Sequence, residues 1–171
     1  MENIKKMKKE AKNSDKVYTP EFVAKEIIAN FNLYGTVLDP CCGNGAFYDN
    51  YPDYVQKDFC ELDLGKDFFD YNKHVDWIVS NPPYSCFADW LEHSFEIADN
   101  VVYLIPLYLL TTSHRKVELI GAYGLKELLV FHNKNKDWGW KSCGWPMCAA
   151  YFKKNYRGET RIHFCTEQLK Y

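Results

Sequence analysis

The sequence lacks a long apolar run. A helix needs roughly 18 consecutive apolar residues to cross a bilayer, and no stretch of the 171-residue chain supplies them, so no membrane span is expected. The opening MENIKKMKKEAKNSDK is Lys-rich and has no apolar centre, which is not the pattern of a signal peptide. Charge of one sign is also missing: 21 Lys and Arg against 23 Asp and Glu leave a formal net charge of −2. The chain as a whole is therefore not a basic nucleic-acid binder, and a polyanion would have to meet a local basic face. Internal repeats and low-complexity segments are absent. Two nucleotide signatures are missing as well. There is no G-x-G-x-x-G, which makes a dehydrogenase a weak reading, and no P-loop, since no Lys-Ser/Thr follows the glycines.

Cysteine is present in an odd number, seven, scattered and without a leader, so a reduced, cytoplasmic chain is expected. Cys143, Cys148, His163 and Cys165 fit no strong zinc spacing. We expect no metal, and cysteines packed as small apolar side chains. With 47% hydrophobic and 17% aromatic residues, intrinsic disorder is excluded. The length suits one domain: a Lys-rich flexible arm over 1–16, then a single domain over 17–171.

The elements alternate. YTPEFVAKEIIANF predicts a helix with Thr19 as N-cap, Pro20 in the first helical position and Glu21 in the first turn; Phe22, Val23, Ile27 and Phe31 share its apolar face. GTVLD, YVQKDFCELD, VDWIVSN and NVVYLIPLYLL read as strands. A helix carrying Phe87, Trp90, Leu91 and Phe95 is expected behind Ser85, and SHRKVELIGAYG reads as a helix ending near Gly121 or Gly124. LKELLVFH and MCAAYFKKN are the last full strands, and TRIHFC adds a short edge. This order predicts an α/β fold with a mainly parallel sheet and helices on both faces.

Such sheets bind ligands beyond the carboxyl ends of their strands, which directs attention to Asp39, Glu61, Asp67, Asn81 and Pro106. DPCCGNGAF places two glycines in the first strand-to-helix loop, where the backbone turns sharply and approaches a ligand; a plain tight turn also accounts for it. Glu61, or its neighbour Asp63, can accept both hydroxyls of a ribose. Asp67, followed by Phe68 and Phe69, offers an acceptor and an apolar wall to an adenine ring. Together these ends describe an adenosine-like ligand without a phosphate clamp, which suggests S-adenosylmethionine (SAM) more than a dinucleotide.

VSNPPY ends a strand on Asn81, and Pro82 and Pro83 then lock the backbone and remove two donors. YTPEFVAKEII, LDPCCGNGAF, CELDLGKDFF and SNPPY, in this order, resemble the amino-group DNA methyltransferases that make N6-methyladenine. The resemblance covers about 17–110 well. It implies a Rossmann-like SAM-dependent methyltransferase fold with a terminal antiparallel hairpin strand. It implies Asn81, Pro82, Pro83 and Tyr84 as the catalytic motif: a rigid double acceptor for a conjugated NH2, with an aromatic floor for a flipped base. Tyr18, Thr19, Pro20, Asp39, Pro40, Cys41, Gly43, Gly45, Glu61, Asp67, Phe68 and Asn81 would line or hold the cofactor. Trp145, or else Trp138 or Trp140, would close the other face of the base.

Relatives of this type occur in phages and restriction-modification systems, and many carry a target-recognition domain that reads the major groove. None is expected here. Phosphate contacts would then fall to the Lys-rich arm, to the loop at Lys134 to Lys141, and to Lys153, Lys154, Arg157 and Arg161. A partner subunit or a dimer could supply recognition instead. The same motif occurs in enzymes acting on RNA adenine or on a protein glutamine amide. A SAM- or nucleic-acid-binding module without catalysis is the reading from another class.

Overall fold

The computed structural model describes residues 18–131 and 145–165. Seven strands form one sheet: β1 (Thr36–Asp39), β2 (Gln56–Phe59), β3 (Val75–Ser80), β4 (Ala98–Pro106), β5 (Leu125–Phe131), β6 (Met147–Lys153) and β7 (Arg161–Phe164). Their order across the sheet is β2-β1-β3-β4-β6-β5-β7. β1, β2, β3 and β4 run parallel, and β6 is antiparallel to both of its neighbours, β4 and β5. β5 and β6 form the expected antiparallel hairpin, and β7 adds a short edge that joins β5 in parallel, Glu127 facing Arg161.

Strand side chains alternate between faces, and here both faces are covered. Val37, Val79, Val102 and Leu104 pack with Val23 and Ile27 of helix α1 (Glu21–Asn30). Leu38, Ile78, Val101, Tyr103 and Ile105 pack on the opposite face with Phe87, Trp90 and Leu91 of α2 (Phe87–Ile97) and with Tyr123 of α3 (His114–Tyr123). This explains why the central strands read as unbroken apolar runs. Arg115 ties α3 to α2 through Asp89 (2.7 Å) and Glu92 (2.5 Å). Ser94 holds α2 to the sheet, its hydroxyl 2.7 Å from that of Tyr103. No helix among the described residues is long and apolar enough to cross a membrane.

Two local expectations change. α1 begins at Glu21 with Pro20 in the cap position and no side-chain cap, so Thr19 does not cap the helix. The β4 run stops at Pro106 and continues as a 3-10 turn over Leu107–Thr111. Cys148 and Cys165 lie in the clusters on opposite faces of the sheet, which separates two of the four residues considered for zinc; Cys143 lies outside the described residues.

Candidate active site at the carboxyl ends of the strands

A cleft of about 420 Å³ opens where β1, β2 and β3 end. Its floor is the glycine loop after β1. Gly43 and Gly45 take positive φ values of 54° and 87°. The φ at Gly45 strains any residue with a side chain, and a Cβ there would also press on Asp49 Oδ2 at 2.3 Å. The Tyr18 ring lies over Gly43, 3.5 Å from where a Cβ would sit.

Glu61 joins two loops. Its Oε2 accepts from the Gly43 N–H (2.7 Å) and its Oε1 from the Asp63 N–H (3.2 Å). An ionised carboxylate has about four lone-pair sites, so both oxygens keep capacity for ligand hydroxyls. Asp63 and Asp67 also line the cleft. Asp67 Oδ1 accepts from the Phe69 N–H at 2.9 Å, which turns the chain so that Phe68 and Phe69 form a wall. Trp90 completes the wall, 4.6 Å from Phe68 between ring centroids. Trp90 was not anticipated as a site residue: it reads as one member of an apolar helical stripe, and nothing in that pattern says that its ring reaches the cleft.

Asn81 sits at the β3 end, on the cleft wall. Its Nδ2 donates to Thr19 Oγ1 (3.1 Å), and its Oδ1 accepts from the Tyr84 hydroxyl (2.9 Å). Its backbone carbonyl accepts from Cys41 Sγ at 3.1 Å, which fastens the glycine loop to the β3 end. Burial pushes the Cys41 thiol well above its usual range, so it acts as a neutral donor.

Of the residues expected around the cofactor, Tyr18, Thr19, Pro40, Cys41, Gly43, Glu61, Asp67, Phe68 and Asn81 line the cleft, and so does Pro83. Pro20, Asp39, Gly45, Pro82 and Tyr84 are not on its lining. Asp39 lies beneath the floor, buried, where Oδ1 accepts from the Ser80 hydroxyl (2.6 Å) and the Cys41 N–H (3.3 Å). Its Oδ2 is buried without a hydrogen-bond partner. Burial raises this carboxyl to about 7 against the opposing pull of the Ser80 hydrogen bond.

Trp145 stands apart from the cleft lining, 55% exposed, edge-to-face with the 43% exposed Tyr108 at 5.1 Å. The Leu107 N–H donates to the Pro146 carbonyl (2.8 Å), and Met147 faces Pro106, so both rings sit at the carboxyl edge of the sheet. Tyr108, directly behind the β4 end, escaped the sequence reading. Trp138, Trp140 and the lysines of 134–141 lie outside the described residues, as does the Lys-rich arm.

The remaining basic residues are displaced from this edge. Lys153 faces Asn100 near the amino end of β4, and Lys154 pairs with Asp99 at 3.8 Å. Arg161 faces Glu127 at the β5 start. Arg157 donates to the Ala122 and Tyr123 carbonyls (2.8 and 3.3 Å), satisfying the end of α3. These four belong to the opposite end of the sheet from the cleft.

The fold is similar to that of class I SAM-dependent methyltransferases. The chain is similar to a protein of that class from Listeria monocytogenes (TM-score 0.60, 9% identity, 84% of this chain and 63% of that one). It is similar to a candidate RNA methyltransferase from Pyrococcus horikoshii (0.54, 16%, 81% and 86%). It is similar also to the modification subunit of a candidate type I restriction enzyme from Vibrio vulnificus (0.59, 12%, 95% and 50%), spanning half of that subunit. No protein-family model and no curated protein matches the chain.

Proposed function

We propose that the protein transfers a methyl group from SAM to the N6 amino group of adenine in DNA. The observation that carries this reading is Asn81: a carboxamide at a strand end, followed by two prolines, held at both of its polar atoms and facing a cleft with the features of a nucleoside site. That cleft suits a nucleoside without phosphates. Glu61 would take the ribose hydroxyls and Asp67 the adenine amine. Phe68, Phe69 and Trp90 would form the wall on one side of the ring, with Tyr18, Pro40, Cys41 and Gly43 around the rest. Lys66 is the one basic side chain among the described residues lining the cleft, and its ammonium already lies 3.6 Å over the Phe59 ring.

Bound SAM supplies an electrophilic methyl on a sulfonium sulfur. The target is a conjugated NH2 whose lone pair is delocalised. Asn81 Oδ1 and the carbonyl of Pro82, a residue behind the cleft lining as it stands, would accept its two N–H groups, drawing nitrogen toward tetrahedral geometry and freeing the pair. The N–C bond would form as the sulfonium S–CH3 bond breaks, leaving a neutral thioether, and the amine would shed one proton to solvent. Pro82 and Pro83 hold the acceptors in place before reaction, so little reorganisation accompanies the developing charge.

Adenine in RNA is the second reading, because the same acceptors serve the same amine and the Pyrococcus neighbour is a candidate RNA methyltransferase. The test is transfer from radiolabelled SAM to unmethylated single- and double-stranded DNA, with RNA in parallel, followed by nucleoside analysis. N6-methyladenine in DNA supports the proposal, and its appearance in RNA alone selects the second reading. Bound SAM with no labelled nucleic acid would contradict both.

A further inference from the structure

We infer that Thr19 is a positioning residue for the Asn81 carboxamide rather than a helix cap or a cofactor ligand; the inference rests on the functional reading above. Local sequence gives Thr19 a different task. A Thr ahead of Pro-Glu should spend its hydroxyl on the first free N–H groups of the helix. In the structure that hydroxyl makes no capping bond. Thr19 is instead 6% exposed, and its Oγ1 accepts from Asn81 Nδ2, a residue 62 positions away.

The contact has a chemical consequence. The two ends of a carboxamide have nearly the same shape but opposite hydrogen-bonding character. If the group turned over, NH2 would stand where an acceptor is required, and the target amine would meet a donor. Thr19 receives the nitrogen end, which leaves Oδ1 on the other side, where the Tyr84 hydroxyl now donates at 2.9 Å. When a target amine replaces that hydroxyl, the contact at Thr19 holds the nitrogen end and keeps the orientation.

Neighbouring Tyr18 has the complementary task. It is 60% exposed, and its ring covers Gly43 of the cofactor loop. Adjacent residues ahead of α1 thus address the two halves of the site, Tyr18 the loop and Thr19 the catalytic amide.

The test compares Thr19→Val, which keeps the shape and removes the acceptor, with Thr19→Ser, which keeps it. At saturating SAM the single-turnover rate should fall on the order of 10–100-fold in Thr19→Val and return to within about threefold of wild type in Thr19→Ser. SAM affinity should stay within about twofold in both. The side-chain NH2 resonances of Asn81 should shift in the Val variant and not in the Ser variant. A wild-type rate in Thr19→Val would overturn the inference, as would a loss of SAM affinity in step with the rate, which would make Thr19 a cofactor contact. If the wild-type protein methylates nothing, the functional reading has failed separately. Unshifted Asn81 resonances in Thr19→Val would then still refute the contact.

Discussion

The Tyr84 hydroxyl donates to Asn81 Oδ1 at 2.9 Å, so the atom proposed to receive the target amine already has a donor. The Tyr84 ring meanwhile packs against both core clusters. For a base to stack on that ring, the side chain must turn outward and release Oδ1. The ring is then the working part and the hydroxyl is dispensable. Tyr84→Phe should keep kcat/KM on an oligonucleotide within about threefold of wild type. Tyr84→Ala should lose a stacking contact worth about 1–3 kcal/mol. Equal losses in the two variants would assign the hydroxyl a role of its own.

Glu61 is expected to serve cofactor and scaffold together, because the oxygens offered to a ribose also hold Gly43 and Asp63. Glu61→Ala should weaken SAM binding by about 1.5–3 kcal/mol, the range for lost hydrogen bonds to a charged group. Calorimetric titration measures this directly. Unchanged affinity would move the ribose contact to Asp63.

Asp39 predicts a pH dependence of stability. Its carboxyl titrates near 7 in the fold, because burial opposes the charge, and near 3.9 in an unfolded chain. Between those values the folded state retains a proton that the unfolded state has lost. Stability therefore falls as pH rises from about 4 to about 7, by roughly 4 kcal/mol in full, and this contribution is constant outside that window. Asp39→Asn keeps an acceptor for Ser80 and removes the charge, so urea midpoints of the variant should lose this part of the decline between pH 4.5 and 7.5. A variant as pH-dependent as wild type would show that Asp39 is ionised throughout.

Tyr108 and Trp145 form an exposed aromatic pair at the carboxyl edge of the sheet. Replacing either with Ala should weaken nucleic-acid binding by about 1–3 kcal/mol, as expected for a lost base stack, with SAM affinity unchanged. Loss of SAM affinity in either variant would place the pair in the cofactor site instead.

The fold was readable because each central strand carries apolar residues on both faces, as Val37 with Leu38 and Ile78 with Val79 do, and such strands belong inside layered parallel sheets. The strand-end rule then located Glu61, Asp67 and Asn81 around one cleft. What escaped depends on contacts distant in sequence. Thr19 resembles a cap locally, yet its bond to Asn81 wins. Asp39 shares the carboxyl edge with Glu61, but its hydrogen bonds to Ser80 and Cys41 draw it beneath the floor. Charge runs carry no information about which end of a sheet they occupy, so Lys153, Lys154, Arg157 and Arg161 could not be separated from the site until β6 and β7 had their registers.

The most direct test of the acceptor role is single-turnover methyl transfer by wild type and Asn81→Ala at saturating SAM, with SAM affinity measured on the same preparations. On the proposed reading, binding would rest on Glu61, Asp67 and the aromatic wall, and reaction on Asn81. The account predicts SAM affinity within a few-fold of wild type and transfer reduced on the order of 100-fold or more. Wild-type turnover by Asn81→Ala would contradict it.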